Sequence, residues 1–409
     1  MPADMPRLRV GLAGAGFLAQ TRARCWRRVA GVDVSLSAVS ARREERARGF
    51  AKTHGVAAAT GDWRVLVDRP DVDLIDVCLP NHLHREVVEA AASAGKAIIC
   101  TKPLAAYVGQ DLAADATDAE VAGQDRRAMA SVALADARAM VAAAEAASVP
   151  LMYGENWVYA PSIVRAAGLL ASSDGRLLEM RGEESHSGSH AEYALRWRHA
   201  GGGALLRLGA HPIGAMLHLK RVEAESRGET SPRVIAVTAE TADPITTSRE
   251  RGDTLALASG PRDVESWGCL VLHFEDGARG VAIGSDLALG GMQSSLELRT
   301  GNARLLCRLS PHDLLDAYAP TDGTFGESYV MEKVDGQAGW TTPLPDEDWS
   351  SGQQGMLQAF AEAAVRGETP ASDGALGLAV TRVLSAAYVA AAEGRRVALD
   401  ESEQGNELA

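Results

Sequence analysis

Short apolar runs alternate with longer segments in the first 150 or so residues of the chain. The runs have the length of buried strands, and apolar residues recur at helical spacing in the segments between them. Repeated strand–helix–strand units predict a doubly wound parallel sheet with helices on both faces. The predicted strands are residues 8–13, 34–39, 74–79, 97–101 and 150–153, and the predicted helices are 17–29, 43–54, 83–94 and 132–147. Residues 107–131 are polar and acidic, so we predict a surface insertion there.

The pattern changes after residue 153, where we predict a second, α+β domain. A helical stretch at 162–171 precedes six strand-like runs, and Asp276-Gly277 and Gly301-Asn302 are hairpin turn signals. We predict a mostly antiparallel open sheet with helices on one face, and polar connectors at 221–232 and 242–261. The predicted strands are 177–184, 234–240, 266–274, 280–285, 294–299 and 303–308, and the closing helices are 355–365 and 377–392. The predicted domains are 1–153 and 154–394, with a C-terminal tail at 395–409.

Composition and charge exclude several classes of function. The chain is 46% hydrophobic and 23% charged, as in ordinary globular proteins. A net charge of −13 argues against binding to nucleic acid or to anionic membranes. The five cysteines are scattered without a Cys-x-x-Cys pair, which argues against a disulfide framework or a zinc site. No apolar leader or long uncharged run is present, so we expect a cytoplasmic protein.

A glycine-rich turn follows the first predicted strand and opens the first predicted helix. Gly14-Ala15-Gly16-Phe17-Leu18-Ala19 fits the pattern G-x-G-x-x-G/A of dinucleotide-binding folds. Gly14 permits a tight turn, and Gly16 lets the backbone approach a pyrophosphate at the helix N-terminus. This context predicts a nucleotide site that includes Phe17 and Leu18.

The end of the second predicted strand bears on the choice between NAD and NADP. Domains that bind NAD usually place a carboxylate there to hold the ribose hydroxyls. Ser40, Arg42 and Arg43 occupy this stretch instead, and guanidinium groups suit a 2′-phosphate. We therefore favour NADP slightly over NAD. The alternative is that both arginines only form a solvated first helical turn.

The predicted strand at 97–101 delivers Lys102 to its carboxyl end. Only five of the 41 basic residues are lysines. Arginine stays protonated in proteins, whereas a partly desolvated lysine can share or give up its proton. Ligands bind at the carboxyl ends of parallel strands, so Lys102 is a candidate for substrate chemistry. The alternative is a surface lysine at the start of a loop.

Four motifs in order resemble the glucose–fructose oxidoreductase / inositol dehydrogenase (Gfo/Idh/MocA) family. They are the glycine turn, Leu79-Pro80-Asn81-His82-Leu83-His84, Thr101-Lys102-Pro103, and the segment 201–212 that begins Gly201-Gly202-Gly203 and ends His211-Pro212. The resemblance covers nearly the whole chain. It implies a Rossmann domain, an open-sheet substrate domain, and NAD(P)-linked oxidation or reduction of sugars, polyols and related hydroxy compounds.

The resemblance also implies roles for single residues. It places Lys102 beside the nicotinamide and makes His211 the proton-transfer residue. Histidine titrates near neutrality and can take the hydroxyl proton as a carbonyl forms, and an ammonium group stabilises a developing alkoxide. The other residues that it places against the cofactor are Leu79, Pro80, Asn81, His84, Thr101, Pro103, Asn156, Trp197 and Arg198.

Three positions depart from the family pattern. Thr101 stands where glutamate is usual, and Arg207 and Gly214 stand where aspartate is usual. A single helix over residues 204–219 would place Arg207 and His211 on one face. A guanidinium there favours a neutral histidine and can bind a carboxylate, so we expect an anionic substrate such as a sugar acid. The alternative is that Arg207 pairs within the protein, with an acid such as Glu155 or Glu183.

Further substrate-site candidates lie near the start of the second domain. Glu155, Trp157 and Tyr159 stand where the chain crosses between domains, and His186 and His190 lie in a polar loop after a strand. No third ligand at suitable spacing accompanies these histidines, so we predict no metal site.

The sequence leaves two other functions open. Some members of the family use NAD transiently in glycoside hydrolysis or elimination, and a non-catalytic nucleotide- or sugar-binding protein can use the same fold. We expect a small carbohydrate-like molecule as the substrate. We also expect a homo-oligomer, a dimer or tetramer, because an open sheet with one uncovered face favours pairing through that face.

Overall fold

A computed structural model describes residues 5–399, except 174, 190, 261, 311–314, 316, 325–335, 337 and 342–345. The first half holds strands β1 (Arg7–Ala13), β2 (Asp33–Ser40), β3 (Ala58–Thr60), β4 (Leu74–Val77), β5 (Ala97–Thr101) and β6 (Leu151–Gly154). Its helices are α1 (Phe17–Trp26), α2 (Glu44–His54), α3 (Trp63–Val67), α4 (His84–Ser93), α5 (Asp118–Ala122) and α6 (Arg126–Ala146). The predicted doubly wound fold is confirmed, because these strands form one parallel sheet in the order β3-β2-β1-β4-β5-β6.

The second half builds a larger sheet in the order β12-β11-β7-β10-β9-β8-β15. Its strands, with the separate pair β13 and β14, are β7 (Leu177–Ser185), β8 (Val234–Ala242), β9 (Trp267–Phe274), β10 (Arg279–Ser285), β11 (Gln293–Thr300), β12 (Arg304–Arg308), β13 (Ala317–Ala319), β14 (Gly339–Thr341) and β15 (Val397–Ala398). The helices are α7 (Pro161–Ala171), α8 (Trp197–Ala200), α9 (Ala204–Arg207), α10 (Ala210–Ser226), α11 (Pro244–Glu250), α12 (Glu347–Ser350), α13 (Gln353–Arg366) and α14 (Gly374–Glu393).

The second sheet is mostly antiparallel, as predicted, and β7 and β10 are its parallel pair. Asp276-Gly277 joins β9 to β10 and Gly301-Asn302 joins β11 to β12, so both hairpin predictions are confirmed. Helices α10 and α14 cover one face. Among the described residues only α14 is long and apolar enough to cross a membrane, and 61% of its most apolar stretch is buried in the protein.

The predicted insertion at 107–131 is exposed over most of residues 110–120, but its two ends belong to the core. Helix α6 starts at Arg126, because the Asp125 carboxylate caps its first turn by accepting two backbone N–H bonds of 3.0 Å. Tyr107 and Val121 are buried in the core. The larger apolar side chains of this stretch are buried or half-buried, although several of its alanines are exposed, and the polar composition did not indicate this.

Other boundaries also differ from the predictions. Helix α10 continues into the predicted connector at 221–232, and α11 lies inside the connector at 242–261. Strand β15 pairs with β8, so the first residues of the predicted tail belong to the sheet. The rest of that tail, residues 400–409, lies outside the described residues, as does His190. Strand β3 was not predicted because it is three residues long and gains its form from pairing with β2.

Candidate active site

The glycine turn lies at the carboxyl end of β1, where the order of the sheet reverses. Gly14 has a φ of +117°, and a Cβ there would lie 2.3 Å from the Cys78 carbonyl oxygen, so only glycine fits. A Cβ at Gly16 would meet no atom within 4 Å. The space beside Gly16, in front of the N-terminus of α1, fits the pyrophosphate of a dinucleotide.

The predicted ribose-binding residues lie at the end of β2. The Ser40 side chain is buried, and its carbonyl accepts a 2.9 Å hydrogen bond from the Gly14 N–H. Arg42 and Arg43 are exposed, and Arg43 is the residue before α2. Phe17 is 61% exposed beside the same turn, and Leu18 follows it in α1. This edge therefore offers two guanidinium groups, while Ser40 supports the turn through its backbone.

His84, which was predicted to line the cofactor, is fully buried, and both of its ring nitrogens lie close to backbone carbonyls. Its Nε2 lies 2.9 Å from the Leu79 carbonyl and its Nδ1 lies 3.0 Å from the Leu104 carbonyl. Burial lowers the pKa of His84, which favours the neutral ring. His84 thus joins the loop after β4 to the loop after β5, and it supports both from inside the protein.

Other predicted cofactor contacts have partners within the protein. They include three polar side chains and one buried indole. The Asn81 amide donates to the Ala200 carbonyl at 2.5 Å, the Asn156 amide donates to the Ser351 carbonyl at 2.6 Å, Arg198 donates to Asp118 at 2.9 Å, and Trp197 packs against Arg126 and Tyr388. Leu79 is partly buried and Pro80 is exposed, so of these two Pro80 presents the larger surface.

Lys102 follows β5 between the buried residues Thr101 and Pro103. Its side chain is partly buried, and its ammonium group donates to the Arg207 carbonyl. This contact joins the edge of the first sheet to the segment that carries His211. The lysine is therefore not a loose surface residue, which was the alternative.

The predicted helix over 204–219 is broken between Arg207 and Ala210, so α9 and α10 are separate. Pro212 has no N–H to donate to the Leu208 carbonyl, and a Cβ at Gly209 would lie 2.5 Å from the Leu205 carbonyl. The His211 N–H donates to Leu208 rather than to Arg207. The break leaves the Arg207 carbonyl available to Lys102, and it removes the shared helix face that was predicted for Arg207 and His211.

Arg207 forms an ion pair within the protein, which was the alternative to binding a carboxylate of the substrate. Its Nη2 lies 2.6 Å from Oδ2 of Asp286, which is fully buried. The partner is neither Glu155 nor Glu183, the two acids proposed from the sequence. His186 is buried on the other side of Asp286, with Nδ1 at 3.8 Å from Oδ1. Arg262 also lies 3.5 Å from Asp286, so this carboxylate balances only one of two guanidinium charges, and the pairing of Arg207 decides neither for nor against an anionic substrate.

His211 is 5% exposed and lies between two carboxylates. Its Nδ1 is 2.6 Å from Glu155 Oε1, and its Nε2 is 3.7 Å from Glu184 Oε2, which is too long for a hydrogen bond. The imidazole stacks on Trp157 with ring centroids 5.8 Å apart and planes 15° apart. The Tyr159 hydroxyl accepts from the Ser372 N–H at 2.9 Å, so Tyr159 packs in the fold and does not line the site.

Three acids near the site have roles that were not predicted from the sequence. Glu265 is buried and accepts hydrogen bonds from the N–H groups of Gly203 and Leu205 and from the Tyr388 hydroxyl, at 2.8 to 3.0 Å. It fixes the glycine segment before α9, and burial raises the pKa of its carboxyl group. The other two are Asp286 and Glu184. Glu265 and Asp286 each stand at the end of a largely apolar strand, which is the signal that could have identified them, whereas Glu184 lies in the charged strand β7 and carries no such signal.

Comparison with known proteins shows which proteins the chain is similar to. The profile of an oxidoreductase family with an NAD-binding Rossmann fold matches residues 8–124. The chain also resembles the solved structure of GenD2 from gentamicin A biosynthesis in complex with NAD, at 27% identity and a TM-score of 0.76, over 97% of this chain and 98% of that chain. Residues 8–124 thus match the Gfo/Idh/MocA oxidoreductase family, and nearly the whole chain is similar in fold to GenD2. The resemblance seen in the sequence motifs is thereby confirmed.

Curated members of the Gfo/Idh/MocA family are similar to parts or most of the chain. Levoglucosan dehydrogenase of Pseudarthrobacter phenanthrenivorans is 38% identical over 107 residues, which are 25% of this chain and 27% of that protein. D-xylose 1-dehydrogenase (NADP(+)) 2 of Haloferax volcanii is 26% identical over 365 residues, which are 89% of this chain and 92% of that protein. The chain thus matches about a quarter of the first relative and nearly all of the second.

Proposed function

We propose that this protein is an NAD(P)-dependent oxidoreductase that moves a hydride between the nicotinamide and a CH–OH or keto group of a neutral sugar, polyol or related compound. The observation that carries the proposal is the contact between Lys102, at the edge of the dinucleotide-binding sheet, and the Arg207 carbonyl, four residues before His211. Relatives named for levoglucosan and D-xylose support a carbohydrate substrate. Both of these compounds are uncharged, which supports a neutral substrate.

The proposed chemistry divides between two side chains. When bound, the cofactor accepts or gives the hydride. His211 takes the hydroxyl proton of the substrate on Nε2 as the carbonyl forms, and it returns the proton in the reverse direction. Lys102 stabilises the charge that develops on the substrate oxygen. The turn at Gly14 and Gly16 would hold the pyrophosphate of the cofactor.

A panel of neutral sugars, sugar acids and inositols, assayed with both nicotinamide cofactors, tests this function. We expect turnover of a neutral sugar or polyol, and a lower KM for NADP than for NAD because Arg42 and Arg43 are exposed at the end of β2. An equal or lower KM for NAD would contradict the cofactor preference. Release of an aglycone without net reduction of the cofactor would favour the transient-oxidation function, and cofactor binding without any turnover would favour the binding-protein function.

Two glycines of the turn are expected to respond differently to substitution. Gly16→Val should raise the Kd of the cofactor by about tenfold or more and leave Tm nearly unchanged, because its side chain would enter open space that the pyrophosphate needs. Gly14→Ala should lower Tm, because its Cβ meets the Cys78 carbonyl at 2.3 Å. Fluorescence titration and thermal melts measure both. Unchanged cofactor binding in Gly16→Val would contradict the assigned site.

We also propose that two copies pair through the open face of the second sheet. Val271, Val281 and Ile283 alternate with buried residues on β9 and β10 and are partly exposed on that face. An apolar sheet centre of this kind favours a twofold partner. The mass in solution tests the pairing.

A cytoplasmic location fits the five cysteines, none of which is paired with another.

A further inference from the structure

We propose that Glu155 is the positioning residue of His211, and that the missing side chain at Gly214 is what makes room for it. The inference rests on the proposed role of His211 in proton transfer. It assigns to Glu155 a role other than the substrate contact expected from the sequence. It also gives a physical reason for the glycine at position 214.

The contacts of Glu155 hold the imidazole in one orientation. The carboxylate is fully buried at the end of β6, and its Oε1 lies 2.6 Å from His211 Nδ1 while accepting the Trp157 N–H at 3.1 Å. A carboxylate only accepts hydrogen bonds, so Nδ1 must carry the proton in this contact. Nε2 is then the nitrogen that can take a proton from a substrate. Trp157 stacks on the ring and prevents it from tilting away.

Gly214 lies three residues after His211 on α10 and faces the same carboxylate. A Cβ at this position would lie 2.8 Å from Glu155 Cγ and 3.3 Å from its Cδ. Real Cβ atoms do not approach other carbons so closely, so any side chain at 214 would displace Glu155. The space beside Nδ1 of His211 therefore holds one acid, and Glu155 after β6 supplies it only when position 214 is glycine.

Moving the carboxylate from position 155 to position 214 tests whether either position can supply the acid beside His211. Glu155→Ala should lower kcat by roughly 10²-fold or more, with KM and cofactor Kd within about threefold of wild type. Gly214→Ala should also lower kcat, because its Cβ pushes the carboxylate away. The double variant that combines Glu155→Ala with Gly214→Ala should lose no more kcat than Glu155→Ala alone. Gly214→Asp in the Glu155→Ala background should recover at least about fivefold in kcat, since it returns a carboxylate to this space.

Matched controls separate positioning from a general loss of structure. Gly168→Ala places a methyl group on α7 where no atom lies within 4 Å, and Glu225→Ala removes an exposed acid from α10, so both should keep wild-type kcat. Glu155→Gln keeps the volume of the side chain and should also lose kcat while Tm stays near that of wild type. Wild-type kcat in Glu155→Ala or in Gly214→Ala, or no recovery in Gly214→Asp, would overturn the proposal.

A spectroscopic readout tests Glu155 even if no substrate is turned over. In protein labelled with ¹⁵N-histidine, long-range ¹H–¹⁵N spectra show which ring nitrogen carries the proton, and His211→Gln assigns the signal. We expect a proton on Nδ1 in the wild type and a changed pattern in Glu155→Gln. A spectrum that Glu155→Gln leaves unchanged would overturn the role of Glu155, whereas absence of turnover in the wild type with the expected spectra would overturn only the proposed function.

Discussion

Lys102→Ala should lower kcat by roughly 10²-fold or more while the Kd of the cofactor changes little. The ammonium group stands at the end of β5 and contacts the backbone of the segment before His211, and in the proposed mechanism it stabilises the charge on the substrate oxygen. The proposed cofactor site is the glycine turn, which this substitution leaves intact. Steady-state rates and a fluorescence titration of the cofactor, both on the same preparation, measure the two effects separately.

A second substitution at this position separates two roles of the lysine. Lys102→Arg keeps the positive charge but cannot give up a proton, so partial activity would indicate electrostatic stabilisation and full loss would indicate a need for the lysine itself. Lys52→Ala, at an exposed position in α2, removes a lysine far from the glycine segment and serves as the control. Turnover like that of the wild type in Lys102→Ala would remove Lys102 from the mechanism.

Most of the fold followed from apolar spacing because each sheet buries a regular pattern. Strands β1, β4 and β5 are nearly uniform apolar runs, as expected where both faces of a parallel sheet are covered. The composition of a segment did not predict its structure where one or two residues determine that structure. Asp125 starts α6 in a stretch that reads as a polar loop, and β15 is two residues that take their form from β8.

Only those residues of the site that follow the ends of strands could be predicted from the sequence. Lys102 and the glycine turn follow buried strands, and the carboxyl ends of neighbouring parallel strands must meet at one edge. The partners of the charged groups could not be predicted from the sequence. Glu155 and His211 are 56 residues apart, and Arg207 and Asp286 are 79 apart. Local patterns carry no signal for which of several acids will meet a given base. The break after α9 was not predicted, although Pro212 and Gly209 could have indicated it because neither favours a continuous helix.

His211→Gln should lower kcat for substrate oxidation by roughly 10² to 10⁴-fold with little effect on cofactor Kd. Glutamine can fill the space over Trp157, but its amide cannot accept the hydroxyl proton. The imidazole is 5% exposed and is held by Glu155, so bulk water is poorly placed to replace it. Initial rates of oxidation at saturating cofactor measure the loss.

The pH dependence of the residual rate shows whether His211 acts as a base or only as a packing residue. Without a base in the site, the hydroxyl proton must pass to hydroxide, so the rate of His211→Gln should rise with pH well beyond the point where the wild-type rate levels off. A packing role predicts a lower rate with the same pH profile as the wild type. His54→Gln, at the end of α2, is the matched control and should keep both rate and profile. A His211→Gln profile parallel to that of the wild type would assign the proton transfer to another group, with Glu184 the nearest candidate because its carboxylate lies 3.7 Å from Nε2.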